Sequence, residues 1–303
     1  MAVVVDPDER AALALAERYK GSVIAGSLDR LAADVELDLV HICTPLETHE
    51  AEVLRAVSRG WPALVEKPVA PTAAATDRLV ASAARVGSWI EPAHQLVFQD
   101  GVREALSWTR FAGPLRVFDY RVCSAGAEQH ESSADQVAAD ILPHPLSLVQ
   151  AICPAGLEAV RAWHVQRPAP GELGITGIAD STALRLFISM HGRPPRHELM
   201  LVADTGTLMV DLFHGFAWRE SGSTSRRYKV ERPFLTSAAV VSHAAVNLAR
   251  RMMRREPAYP GLMALVAQVY AALSNPTSRP LGDRHLLAVA RARDRIIEQV
   301  VRA

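Results

Sequence analysis

The chain has 303 residues, 49% hydrophobic and 22% charged, which suits about two domains of ~150 residues with packed cores. Lys plus Arg and Asp plus Glu are 33 each, so the formal net charge is zero, which excludes a basic nucleic-acid clamp and an acidic or disordered tail. Aromatic content of 6% argues against base-stacking platforms, no apolar run approaches the ~18 residues of a membrane span, and the three cysteines are too scattered for a disulfide framework.

The opening Ala2–Val5 reads as a short strand ending at Asp6-Pro7; it has no basic leader, so the expected setting is cytoplasmic. A helix is expected from Pro7 to Lys20, then a minimal strand at Val23-Ile24 and a short capped helix over Ser27–Ala33. Leu37–Cys43 reads as a strand, Thr48–Arg59 as a helix closed by Gly60, and Pro62–Val65 as a buried strand. Thr72–Val86 is the next helix and Trp89-Ile90 the next strand. Such alternation predicts a parallel sheet covered on both faces over residues 1–96, with ligands at the carboxyl ends of the strands.

After residue 97 the rhythm changes. Asp100–Phe111 reads as a helix, Leu115–Cys123 as an alternating strand, Ser124–Ala134 as a loop and Val137–Ile152 as one helix. Strand-like runs follow at Leu157–Val165, Ile178–Met190, Glu198–Ala203 and Gly206–Leu212, with closing helices at Gly261–Leu273 and Arg284–Val301. Residues 97–303 are therefore expected to form an α+β domain with a mainly antiparallel sheet.

At the strand ends stand Asp6, Thr44-Pro45, Glu66-Lys67-Pro68 and Glu91–Gln95. Lys67 follows a buried strand, where a partly desolvated ammonium can bond a substrate hydroxyl or move a proton. His144 lies one helical turn after Asp140 and is expected to titrate near neutrality. Simpler readings stand beside these: a surface ion pair for Lys67, a helix-dipole carboxylate for Asp140 and a packed ring for His144. His41 and Cys43 match no zinc spacing and read as core residues; no metal site is expected. The run Arg250-Arg251 with Arg254-Arg255 reads as a solvated helix face.

The stretch from Val40 to His49, with its Thr44-Pro45 and His49, together with Val65-Glu66-Lys67-Pro68, resembles the Gfo/Idh/MocA family of sugar and cyclitol oxidoreductases. Asp6-Pro7-Asp8, the stretch Asp140–His144 and Tyr259-Pro260-Gly261 extend the resemblance along the chain. It implies an N-terminal Rossmann-like domain and an NAD(P) cofactor, with Asp6, Thr44, Pro45, His49 and Glu66 on the cofactor side. It implies His144 as the proton-exchanging group, with Lys67 and Asp140 orienting the substrate and His94-Gln95 close to it. A small-molecule substrate and a homo-oligomer formed through the C-terminal sheet are expected, with neither nucleic acid nor membrane as partner.

The departure is that no G-x-G occurs, whereas the family opens with a strand and a glycine loop that seats a pyrophosphate. Either that unit lies upstream of Met1, or the sheet has closed over the gap and NAD binding is lost. The second case would leave a redox-inactive relative performing cyclisation, elimination or isomerisation, or a non-catalytic binding protein.

Overall fold

The computed structural model describes residues 2–19, 21–124, 133–256 and 258–302. Lys20 and most of the loop expected over Ser124–Ala134 lie outside the described residues.

The N-terminal layer is built of short strands alternating with helices, except between β2 and β3: β1 Val3–Val5, α1 Glu9–Ala16, β2 Val23–Ala25, β3 Val40–Ile42, α2 Leu46–Ser58, β4 Ala63–Val65, α3 Ala73–Arg85 and β5 Ile90–Pro92. All pairings are parallel, as the alternation predicts. The strands fall into two sheets, β1-β2 and β3-β4-β5, with no hydrogen-bonded ladder between β1 and β3. Coverage on both faces is complete only at β4 and β5, where every residue is buried. On β3 the side chains alternate, so Val40 and Ile42 turn inward while His41 is exposed and lies 3.3 Å from the Tyr270 hydroxyl. Core packing for His41 and Cys43 is thus corrected: both are exposed. Ser27–Ala33 shortens to a single 3-10 turn, Leu28–Arg30, because Ser27 makes no capping bond. Asp8 and Thr72 do cap α1 and α3, each accepting from backbone N–H groups of the first turn.

The second layer is a seven-stranded sheet in the order β12-β11-β10-β6-β9-β8-β7. Its strands are β6 Leu115–Cys123, β7 Val160–Ala169, β8 Glu172–Ala179, β9 Thr182–Ser189, β10 Arg196–Ala203, β11 Gly206–Asp211 and β12 Phe216–Ser221. Only the β6–β9 pairing is parallel. The run expected over Ile178–Met190 is in fact a hairpin, turned at Asp180, whose φ of 54° places it in the left-handed region that Asp tolerates. Helices α4 Asp100–Trp108, α5 Ala134–Ile141, α6 Pro143–Ile152 and α9 Gly282–Arg302 pack on one face, where Tyr120, Phe118, Leu184 and Leu186 are fully buried. The other face is open, with Ile178 and Phe187 exposed. Helix α8 is Leu262–Ser274.

The stretch 213–260, for the most part unassigned from sequence, contains β12 and the 29-residue helix α7 Arg226–Arg254. Helix α9 joins the layers: Leu286 packs in the N-terminal core, while Val289, Ala292 and Ile296 belong to the core beneath the large sheet.

Gly261 fixes the entry to α8. Its φ is +89°, and an added Cβ would stand 2.4 Å from the Gln95 carbonyl oxygen and 2.8 Å from the Gln99 nitrogen. Gly261→Ala should therefore lose about 1–3 kcal/mol from backbone strain alone. Urea melts test this; unchanged stability would contradict the close approach.

Candidate active site

The break in the helix at Leu142, between α5 and α6, creates the centre of the site. Pro143 has no N–H, and its ring disfavours helical continuation past Leu142, so the single helix expected from Val137 to Ile152 is two. In an unbroken helix the Asp140 carbonyl would accept from the His144 N–H. Here it accepts from Lys67 Nζ at 3.0 Å instead. Lys67, Asp140 and His144 are thus brought together from three elements, although Asp140 and His144 do not share one helix.

Burial pushes the Lys67 ammonium below its ordinary range, against the upward pull of the Asp140 and Glu66 carboxylates, and Arg293 adds to the lowering. Asp140 is raised by burial and held back by Arg293 and Lys67; its Oδ1 accepts from Gln136 Nε2 at 3.0 Å. Arg293 is 5% exposed. Its Nη1 donates to the Pro71 carbonyl at 2.9 Å, and its Nη2 stands 3.8 Å from Asp140 Oδ1. Beside it, a cavity of about 20 Å³ lined by Thr72, His94, Pro143 and Asp294 has room for one water.

His144 departs from expectation. Its Nδ1 is sealed with no partner among the described residues. Burial pulls its pKa well below 6.5, and the charges of Lys67 and His197 lower it further, so the ring is neutral at pH 7. His94 is likewise buried and lowered, with Nδ1 3.2 Å from His285 Nε2. His197 is drawn down to about 4 by burial, and its Nε2 faces the Tyr120 hydroxyl at 2.8 Å. Tyr120 is itself pushed up by burial, so the phenol keeps its proton and donates.

The remaining candidates lie at the strand ends. His49 is 2% exposed and engaged at both nitrogens, 2.9 Å from the Pro68 carbonyl and 2.7 Å from that of Thr44. It ties the end of β3 to the loop after β4 and is a positioning residue. Thr44 and Pro45 are exposed; Thr48 Oγ1 donates to Thr44 Oγ1 at 2.7 Å. Glu66 accepts from the Lys67 backbone at 3.3 Å, and Asp6 accepts from the Asp8 N–H at 2.8 Å. Gln95 opens a 3-10 turn and is half-buried.

Thr44, Pro45 and Asp6 could accept the ribose and nicotinamide portions of a dinucleotide, since all three keep exposed surface. The N-terminus of α1 is closed to a pyrophosphate, because the Asp8 carboxylate already accepts from the Arg10 and Ala11 N–H groups.

Glu91, fully buried on β5, is also part of this wall. Its Oε1 accepts from the Leu281 N–H at 2.7 Å while Oε2 has no partner among the described residues. Burial raises its pKa to about 7, above the 4.5 of the free group. The folded state therefore holds a proton that the unfolded state releases, and stability falls as pH rises from 4.5 to 7. Glu91→Gln should relieve up to about 3 kcal/mol above pH 7 and little at pH 5. Denaturant melts at both pH values check the sign; a larger gain at pH 5 would refute it.

Arg293, His285, His197 and Tyr120 escaped the sequence reading. Arg293 had a signal: it occupies an apolar-stripe position of α9, four residues after Val289 and three before Ile296.

Residues 1–94 match the profile described as "Oxidoreductase family, NAD-binding Rossmann fold" (GFO_IDH_MocA), so the N-terminal layer is similar to that family. Inositol 2-dehydrogenase 2 of Saccharopolyspora erythraea is 37% identical over 87 residues, 29% of this chain and 26% of that protein. The match thus spans about a quarter of the curated relative's length. Among solved structures, the WlbA dehydrogenase from Bordetella pertussis in complex with NADH and UDP-GlcNAcA aligns at a TM-score of 0.77 with 13% identity, over 100% of this chain and 88% of that one. GenD2 from gentamicin A biosynthesis, in complex with NAD, aligns at 0.75 with 17% identity over 99% and 86%. At these identities the likeness shows the fold.

Proposed function

We propose that this chain is a nicotinamide-dependent oxidoreductase acting on a hydroxyl or carbonyl of a sugar, cyclitol or related small molecule. Residues 1–96 serve as the dinucleotide-binding-type domain and 97–303 as the substrate domain. The observation that carries the reading is the meeting of Lys67, Asp140 and His144, with Lys67 Nζ held on the Asp140 carbonyl. The nicotinamide, when bound, supplies the hydride acceptor or donor. Lys67, with one N–H on Asp140, has two left to hold the substrate oxygen. His144, kept neutral by burial, takes the hydroxyl proton during oxidation and returns it during reduction.

The test is turnover with inositols and UDP-sugars in the presence of NAD or NADH, alongside calorimetry of NAD on the 303-residue chain. Because these 303 residues hold no G-x-G loop to seat the pyrophosphate, NAD binding is expected to be weak and turnover to require cofactor in excess. Low-micromolar NAD binding would overturn the expectation about affinity. Turnover that proceeds without nicotinamide would overturn the redox reading.

A further inference from the structure

Helix α7 is fastened to the rest of the chain along one side only. Arg232 pairs with Glu220, His243 Nδ1 lies 2.5 Å from the Ala217 carbonyl, Asn247 donates to the His214 carbonyl at 3.0 Å, and Arg254 pairs with Asp100 at 2.8 Å. No residue of the helix is buried. On the side turned away, Val230, Phe234, Val241, Leu248 and Met252 are 72, 76, 69, 60 and 71% exposed. At 100° per residue these five lie within about 40° of one another, a single unpartnered apolar stripe.

The stripe is symmetric. Phe234 and Leu248 stand seven residues either side of Val241, and Val230 and Met252 eleven residues either side. Ser237 and Ala245, four residues either side, are small enough to let a second helix approach closely. We propose that α7 pairs antiparallel with α7 of a second copy of this chain, about a two-fold axis at Val241. Phe234 then meets Leu248 of the second copy, Val230 meets Met252, and Val241 meets itself, an isologous contact that closes as a dimer.

Charge and area agree with this occupant. Residues 233–249 contain no Asp, Glu, Lys or Arg, so no like charges oppose one another across the centre. Arg232, Arg254 and Arg227 are ion-paired with Glu220, Asp100 and Glu231, whereas Arg226, Lys229, Arg250 and Arg255 are exposed, so an anionic lipid surface is the competing occupant that the vesicle measurement below tests. Leu235, Val246 and Met253 are also exposed but lie about 120–140° round the helix from Val241, outside the contact. The stripe spans a helix length of about 33 Å, and two copies would bury on the order of 1,000 Å², the lower bound of a specific interface.

The experiment is sedimentation of the full chain across micromolar concentrations, with Val241→Arg and, in a Cys43→Ser background, Val241→Cys and Ser242→Cys. The expected results are a wild-type dimer, a folded Val241→Arg monomer by circular dichroism, and a disulfide-linked dimer from Val241→Cys but not Ser242→Cys. In the cross-link the two thiols pass their electrons and protons to added oxidised glutathione. A wild-type monomer overturns the proposal, as does a monomer that binds anionic vesicles. A dimer that survives Val241→Arg, such as one formed through the open sheet face, overturns it as well, and so does failure of Val241→Cys to cross-link.

Discussion

Replacing Lys67 by Met or His144 by Ala should lower turnover by roughly 10²–10⁴, the usual worth of a positioned proton-transfer group. Lys67 holds the Asp140 carbonyl at 3.0 Å, so its loss removes a tether between the layers as well as the proposed substrate donor. Its variant is expected to lose about 1–3 kcal/mol of stability from the carbonyl left unpaired. His144 makes no ring hydrogen bond among the described residues and has a sealed, unpartnered Nδ1, so its variant should remain close to wild-type stability while losing the same order of activity. That contrast separates a chemical role from a structural one.

The pH profile supplies a second signature. His144 acts as a base only when neutral, and its pKa lies well below 6.5, so the acid limb should fall below that value. Lys67 donates as an ammonium, and its pKa is lowered from 10.5, so the alkaline limb should begin below that value. Near wild-type turnover in both variants, or an acid limb centred at 6.5 or above, would sink the assignment.

The parallel layer was readable because each helix carries its own punctuation, such as Asp8 and Thr72 at N-caps and Gly60 and Gly87 at the ends. The juxtaposition of Lys67 with Asp140 and His144 was readable only as an expectation from strand ends. What was not readable was the manner of contact. A proline inside an apolar run hid the break at Leu142, and the break presents a backbone carbonyl where a carboxylate was the natural guess. The buried histidines were opaque for a related reason. His94 and His285 are 191 positions apart, and only the fold of α9 across both layers makes them neighbours. Helix α7 was legible only at its C-terminal arginines, because its exposed apolar stripe packs on nothing within the chain and Pro233 interrupts the pattern near its start.

Acid should unfold this protein through its buried histidines, and the sign follows from their direction of shift. His197 and His285 are each drawn to about 4 by burial, from 6.5 in the unfolded chain. Their stabilising contribution is therefore complete above pH 6.5 and is lost as pH falls toward 4, because the unfolded state takes up the protons. Each accounts for about 3 kcal/mol by pH 4, together a large part of the 5–15 kcal/mol that holds a typical domain. His94 and His144, lowered by burial and by neighbouring positive charge, add to the same limb. His94 and His285 share one contact at 3.2 Å, in which one ring must donate and the other accept, so they titrate as a pair. Glu91 opposes the trend, since it gains its proton in the fold between pH 7 and 4.5. One carboxyl does not offset four imidazoles. Thermal melts from pH 7.5 to 4.5 should show the midpoint falling steeply below pH 6.5, and more steeply in Glu91→Gln, which lacks the opposing group. His197→Gln should flatten the slope, because it removes one of the two largest proton uptakes on unfolding. A midpoint that stays level or rises on acidification would show that these rings remain solvated, and would remove the basis for a neutral His144 in the site.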